Sequence, residues 1–488
     1  MLGTKRLICA LLVVCFAALC AGCGADAADK PDGEDMPHEM PGEGMPMGEP
    51  PEMPDGDMPM GEPPEKPDGE MPMGEPPEMP GGKSGGFGGG AEFTQGTSAN
   101  TLDRDGEHSG GTYTSEGDEE NALRIDGAQV TLRNAKVNKT AGDSRNTEAG
   151  DFYGVNAALL VTNGAKAEIS GAKISSSVKN GNGVFCYGEG TRVSISGSTI
   201  ATTGDNSGGI QTTGGGTTEA DSLTVTTEGS SSAAIRSDRG GGRVIVSGGS
   251  YRTAGLNSPA IYSTADITAA TATLKAENSE ALVIEGKNSI ELTNCAVSGC
   301  MSKTEGSSSE ENVHNVMLYQ SMSGDADVGT ARLSITGGTL TGESGDMFYV
   351  TNTHSVISLN GVSIKTGDKD AYLLRVSGNS GERGWGKAGQ NGAQAELTAD
   401  SQKLEGNILV DSISTLDFKL KNGSEFVGSI SILKNTDGTA VENNVTVRVG
   451  EGCTWTLTGD CSISKLDNSG LINFNGHSIT LADGSVLK

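Results

Sequence analysis

Residues 231–251 read SSAAIRSDRGGGRVIVSGGSY, and how this stretch is read decides the fold. Val244 and Val246 stand two apart, which is strand periodicity and puts both on one face. Gly248 follows two residues later and can take the left-handed backbone conformation, turning the chain through a sharp corner. Tyr251 then opens a new strand. Upstream, Ala233 and Ala234 precede the aliphatic Ile235, and small residues there let neighbouring segments stack closely. Between the two parts lie Arg236, Asp238, Arg239 and three glycines. Two cations flanking a carboxylate can grip an acidic sugar, take part in cleaving one, or simply neutralise a corner between strands.

Both halves of the stretch repeat along the chain. The unit apolar-x-apolar-x-Gly/Asn-x-x-apolar recurs as VTLRNAKV (130–137), AEISGAKI (167–174), VSISGSTI (193–200), IELTNCAV (290–297), LSITGGTL (333–340), ISLNGVSI (357–364) and INFNGHSI (472–479). The aliphatic position of Ile235 recurs at Leu159, Val184, Ile210, Ile235, Ile261 and Leu282, at spacings of 25, 26, 25, 26 and 21 residues. A period this long with its corner in register predicts stacked coils and disfavours the hairpins of an antiparallel sandwich. The expected fold is all-β, a single-stranded right-handed parallel β-helix over 96–488, with end coils from about residue 400. The hand is the one parallel crossovers take. About fifteen coils stacked at about 4.8 Å would make a rod of roughly 70 Å.

Composition agrees with many short strands and tight turns: 74 glycines in 488 residues and only 4% aromatics. The formal net charge of -28 argues against nucleic acid as a partner, which needs basic patches. Residues 23–95 form a different region, an acidic Pro/Met/Gly-rich linker. It repeats as MPMGEPPEMPDGD (45–57), MPMGEPPEKPDGE (58–70) and MPMGEPPEMPGGK (71–83). Frequent prolines remove backbone donors and like charges repel, so a disordered, extended tether is expected. The pairs Met45/Met47, Met58/Met60 and Met71/Met73, with His38, offer thioether ligands for Cu(I). The segment lacks the cysteines and histidines of a strong site, and a solvated spacer is the expectation.

Residues 1–22 read as a signal peptide, with Lys5 and Arg6 before a short apolar run. Ala21-Gly22-Cys23 resembles a bacterial lipobox, with Cys20 where leucine is usual. The resemblance implies cleavage before Cys23 and lipidation of its thiol. The plainer readings are a secretory signal or a short membrane anchor.

A broader resemblance rests on DFYGVNAALLV, VFCYGEG, SGGIQTTGGGTT, AAIRSDRGGG and MLYQSMSGDADVG. These segments are similar to adhesin-like β-helix surface lipoproteins of Gram-positive bacteria. Within 444–479, Trp455, Leu457 and Gly459 resemble the Trp-x-Leu-x-Gly pattern of end coils in autotransporter passengers. The resemblance implies display on the outer face of the cell membrane or cell wall, with contact to the membrane through the N-terminal lipid alone. Extracellular glycans or cell-surface proteins would be the partners. An autotransporter continues into a membrane β-barrel; the lipid is expected to replace that device here.

Pectin-degrading enzymes use the same fold, so catalysis has to be argued from residues. Asn435-Thr436-Asp437 lacks the following Asp-Asp pair and Gly-His-Gly that a galacturonase would add, and His477 sits in a corner unit. The expectation is therefore a non-catalytic adhesin or carbohydrate-binding protein. A polysaccharide lyase acting on acidic glycans and a structural wall spacer are the alternatives. On the coil model Arg236 points outward, with Gln211, Tyr262 and Glu285 in corresponding places and Arg375 further along. Such a ladder would offer guanidinium forks and aromatic rings to an extended polysaccharide. Arg236, Asp238, Arg239, Tyr262, Glu285, Arg375 and Trp385 are accordingly the candidate ligand-binding residues. Trp385, in the Gly-rich loop 378–392, either stacks on sugar or caps a core. No cofactor is expected beyond Ca²⁺ at Asp325 and Asp327 in SGDADVGT (323–330), where carboxylates sit between glycines. The spacings of Cys295/Cys300 and Cys453/Cys461 permit local disulfides, while Cys186 reads as a small hydrophobe.

Overall fold

A computed structural model describes residues 95–302 and 312–488. The signal segment, Cys23, the repeats of the linker and its methionine pairs lie outside the described residues.

The described residues form a parallel β-helix. Three long sheets of 14, 13 and 10 strands run along it, and each coil as far as Ser363–Thr366 contributes one strand to each. Within these sheets every pairing is parallel, and the coil-to-coil register is strict. Leu132, Ile169, Ile195, Ala220, Val246, Ala269, Leu292, Ile335, Leu359, Ala399, Leu420 and Val449 fall on one another in the largest sheet. All are buried in a single aliphatic column. Burial of the valine, leucine and isoleucine side chains, each contributing about 1.5–3 kcal/mol when fully removed from water, stabilises a rod with few aromatics.

The corners stand where the repeat predicts them. Asn134, Gly171, Gly197, Gly248, Asn294, Gly337 and Gly361 all have positive φ, between 51° and 62°. Three coils turn on residues that a search for Gly or Asn passes over: Ser222, Thr271 and Ser401, at φ 50–55°. The ladders on either side hold them in a conformation that costs a non-glycine residue about 1–2 kcal/mol. The small residues before each inward aliphatic have a further use. Ser207, Ser232 and Ser258 form a buried ladder, the Oγ of each accepting from a backbone N–H one coil back at 2.9 Å.

Near residue 400 the cross-section changes. The 10-strand sheet ends at Ser363–Thr366, and a new sheet begins at Lys403–Glu405 and runs through Glu425–Val427, Thr454–Thr456 and Leu471–Asn473. Trp455 is fully buried there, its Nε1 donating to Gly428 O at 3.0 Å and its ring stacked on Phe426. The last strands, Ile479–Thr480 and Val486–Leu487, pair antiparallel.

The local disulfides that the spacings permit are not formed. Cys295 and Cys453 follow corner residues and point into the core, and Cys461 packs beneath Ile430; these and Cys186 are buried free thiols. Burial pushes the Cys186 thiol up to about 11, as its reading as a small hydrophobe requires.

Candidate functional site

The 13-strand sheet turns a row of outward side chains to its exterior. In register these are Leu160, Phe185, Gln211, Arg236, Tyr262, Val283, Met317, Tyr349 and Arg375. Gln211, Tyr262 and Arg375 therefore do share the row of Arg236. Glu285 does not: Val283 holds that place, and Glu285 lies two residues further along the strand, opposite Tyr319. Counting from the inward Leu282 gives this result, because the next outward residue is Val283.

Outward here does not mean exposed. A helix, Thr147–Tyr153, lies across one end of the row. Asn146 caps it by accepting from Ala149 N–H, and Gly154, at φ 76°, ends it. Gln211 Nε2 donates to Asp151 O at 2.5 Å and Thr213 Oγ1 to Phe152 O at 2.8 Å, which docks the helix on the sheet. Leu160 and Phe185 form an apolar pad with Ala157 nearby. At the other end the loop 378–392 lays Trp385 on Val283, Met317, Tyr319 and Tyr349. Trp385 is only 4% exposed and sits edge-on to Tyr319 at 5.0 Å, so the capping role expected as one alternative is realised.

Between the two pads the row is polar, and the polar gap is a cleft of about 500 Å³. Arg236, Tyr262, Glu285, Tyr319, Asp325 and Trp385 line it, with Asn257, Ser321, Ser323 and Arg383. Five of the residues singled out in the sequence thus converge on one place, although only Arg236 and Tyr262 reach it from the same row.

Arg236 forms one wall and is occupied. Its Nε donates to Asp238 Oδ2 at 3.0 Å and its Nη1 to Asp151 Oδ1 at 3.0 Å; Nη2 lies 2.7 Å from Asp238 Oδ2. The guanidinium side chain is 12% exposed, the two carboxylates less. The expectation of an outward fork free to grip a uronate is corrected here in favour of the other reading, a neutralised Arg/Asp corner, because both edges of the fork already face carboxylates. Burial raises the Asp151 carboxyl, opposed by Arg236. It pushes Asp238 up to about 7, again against Arg236 and with Asp151 adding to the rise. Burial alone would lower the guanidinium, but Asp151 and then Asp238 outweigh it and hold it firmly charged.

Glu285 forms the floor. Tyr262 Oη donates to its Oε2 at 2.5 Å, Tyr319 Oη to the same oxygen at 3.0 Å, and Ser321 Oγ to Oε1. Burial, then the neighbouring Tyr319 and Glu285, push the Tyr262 phenol well up; burial and Glu285 do the same to Tyr319. Both phenols therefore keep their protons.

The remaining predicted residues lie around or away from the cleft. Arg239 pairs with Asp325 at 2.7 Å and lies over the Phe152 ring at 4.2 Å, tying the helix to the loop that carries Asp325. Asp327 turns elsewhere, to Lys287 Nζ at 2.7 Å. The two aspartates expected to share Ca²⁺ thus face different cations. Among the described residues no group of three or more His, Cys, Asp or Glu side chains is arranged to hold a metal ion. Arg375 is in the row but outside the cleft, held by Asp346 Oδ2 at 2.6 Å and stacked over Tyr372. Asp151, Asn257, Tyr319 and Ser321 were missed. NTEAGDFYG (146–154) carried a usable signal for the first, since Asn, an early Glu and a terminal Gly bound a short helix.

No protein-family model matches this chain, and a comparison with curated proteins returns no match.

Proposed function

We propose that this protein is a lipid-anchored surface β-helix that binds an extended carbohydrate without cleaving it, acting as an adhesin or carbohydrate-binding protein. The observation that carries the reading is the polar gap between two apolar pads. There Tyr262, Tyr319 and Trp385 meet Glu285, Asn257 and two serines in one open cleft. Aromatic edges beside a few fixed polar groups suit sugar rings, whose faces are apolar and whose rims carry hydroxyls. The cleft lies on the side of a stiff rod, where a polymer can run past its ends.

Binding without cleavage is favoured over the lyase reading by the state of the groups a lyase would use. A lyase needs a base to take a proton α to a carboxylate and a cation to hold that carboxylate. Arg236 is held between two aspartates, and both phenols at the floor sit well above their usual range. The test is a glycan panel probed with the full chain, followed by analysis of the retained glycans. Retention of an intact oligosaccharide supports the reading. Shortened or unsaturated product would establish the lyase instead, and retention of none would leave a spacer.

A further inference from the structure

The inference rests on the carbohydrate reading above and names the class of sugar. The polar lining of the cleft is one-sided in its hydrogen bonding. The three hydroxyls of Tyr262, Tyr319 and Ser321 donate inward to Glu285, which leaves the two phenol oxygens as acceptors; Ser321 Oγ already accepts from the Ser323 N–H at 3.1 Å. Asn257 Oδ1 is buried in the same lining with no hydrogen-bond partner among the described residues. An orphaned acceptor of this kind is unfavourable until a donor reaches it. Asp325 brings a second carboxylate to the rim, paired there with Arg239 at 2.7 Å. On the donor side Arg236 is occupied by Asp151 and Asp238, as described.

The aromatic side of the cleft is already filled. The Arg383 guanidinium stands 5.6 Å from the Trp385 ring centre, and both residues line the cleft. The indole face is therefore already filled by a cation of the chain itself. A uronate entering here would set its carboxylate against Glu285. An ammonium brings three donors and no acceptor, which complements this lining.

We propose that the cleft selects a glycan bearing free amino groups, a glucosamine-type polymer, and seats one ammonium among Glu285, its hydroxyl donors and Asn257 Oδ1. Acetylation of the nitrogen removes the charge and two of the three donors, so it should abolish the preference.

The experiment is calorimetric titration of the full chain with three probes: a glucosamine oligosaccharide, the same chain fully N-acetylated, and an oligogalacturonate. The glucosamine oligosaccharide should bind about tenfold or more tighter than its acetylated counterpart, the worth of one charge-assisted hydrogen bond, with the galacturonate weakest. Glu285→Gln keeps the shape and should bring the two glucosamine-based probes to within about twofold of each other. Should Glu285→Gln fail to fold, Asn257→Asp serves. Its backbone, at φ 53°, tolerates Asp, and the added carboxylate should widen the preference. Equal or tighter binding of the acetylated probe overturns the ammonium assignment and leaves the carbohydrate reading standing. Tightest binding of the galacturonate does the same. Binding of none of the three, together with an empty glycan panel, overturns both.

Discussion

Arg236 Nη1 and Asp151 Oδ1 lie 3.0 Å apart, although 85 positions separate the residues in the chain. This contact fastens the only helix among the described residues to the outward face of a sheet three coils further on. Because Arg236 also holds Asp238, the two partners are unequal in what they leave behind. Arg236→Ala strands two buried carboxylates and should cost about 3–5 kcal/mol. Asp151→Ala leaves Arg236 still bonded to Asp238 and should cost about 1.5–3 kcal/mol. Urea unfolding measures both, and hydrogen exchange of residues 147–153 should accelerate in each variant while the column around Val246 stays protected. Equal losses in the two variants would mean that Asp238 is not a partner of weight.

The same cluster predicts the sign of a pH dependence. Asp238 is raised from its ordinary 3.8 to about 7 in the folded protein, chiefly by burial. The folded state therefore holds a proton that the unfolded chain has released between those values. Stability from this group is complete below about 4 and is lost as pH rises through about 7, at no more than about 1.4 kcal/mol per unit. Asp238→Asn removes the titration and keeps an acceptor for Arg236. Its urea midpoint should fall less than that of the wild type between pH 4 and 7, the other carboxylates being common to both. A steeper fall in the variant would sink the assignment.

The coil was legible because the forces that make it are local: alternation, a corner residue and an aliphatic every 21 to 26 positions. Leu159, Val184, Ile210, Ile235, Ile261 and Leu282 do fall in register, and with them Gln211, Arg236 and Tyr262. What lies over the outward face was not legible. The helix with Asp151 and the loop with Trp385 reach the cleft from distant coils, and no periodicity links their positions to Arg236. An outward position does not make a side chain available, and the fork of Arg236 is filled by carboxylates of its own chain, the neutralised corner among the readings the sequence leaves open. Asp325 and Asp327 failed as a pair for a related reason, since their separate cations, Arg239 and Lys287, belong to other coils.

Corner strain offers a direct gain in stability. Thr271 is exposed, β-branched and held at φ 55°. Asn tolerates this region, and Asn134 and Asn294 occupy the equivalent corners at φ 52°. Thr271→Asn should raise the unfolding free energy by about 1 kcal/mol, seen as a higher urea midpoint with an unchanged slope. A loss instead would show that the bond from Thr271 Oγ1 to Ala270 O outweighs the strain.

The last prediction separates binding in the cleft from binding anywhere else on the rod. The chain has two tryptophans, and only Trp385 lines the cleft; Trp455 is fully enclosed among the end coils. A sugar seated beside Tyr262 and Glu285 changes the surroundings of the Trp385 ring and leaves Trp455 as it was. Titration with a bound oligosaccharide should therefore shift or quench the wild-type tryptophan emission. The response should vanish in Trp385→Phe, which retains an aromatic cap over Tyr319 and Met317. Trp385→Ala would be a poorer probe, since emptying that site costs about 3–5 kcal/mol and opens the cleft. If Trp385→Phe keeps the full response, the emission change comes from Trp455, and the ligand rests on the end coils instead of between the helix and the loop.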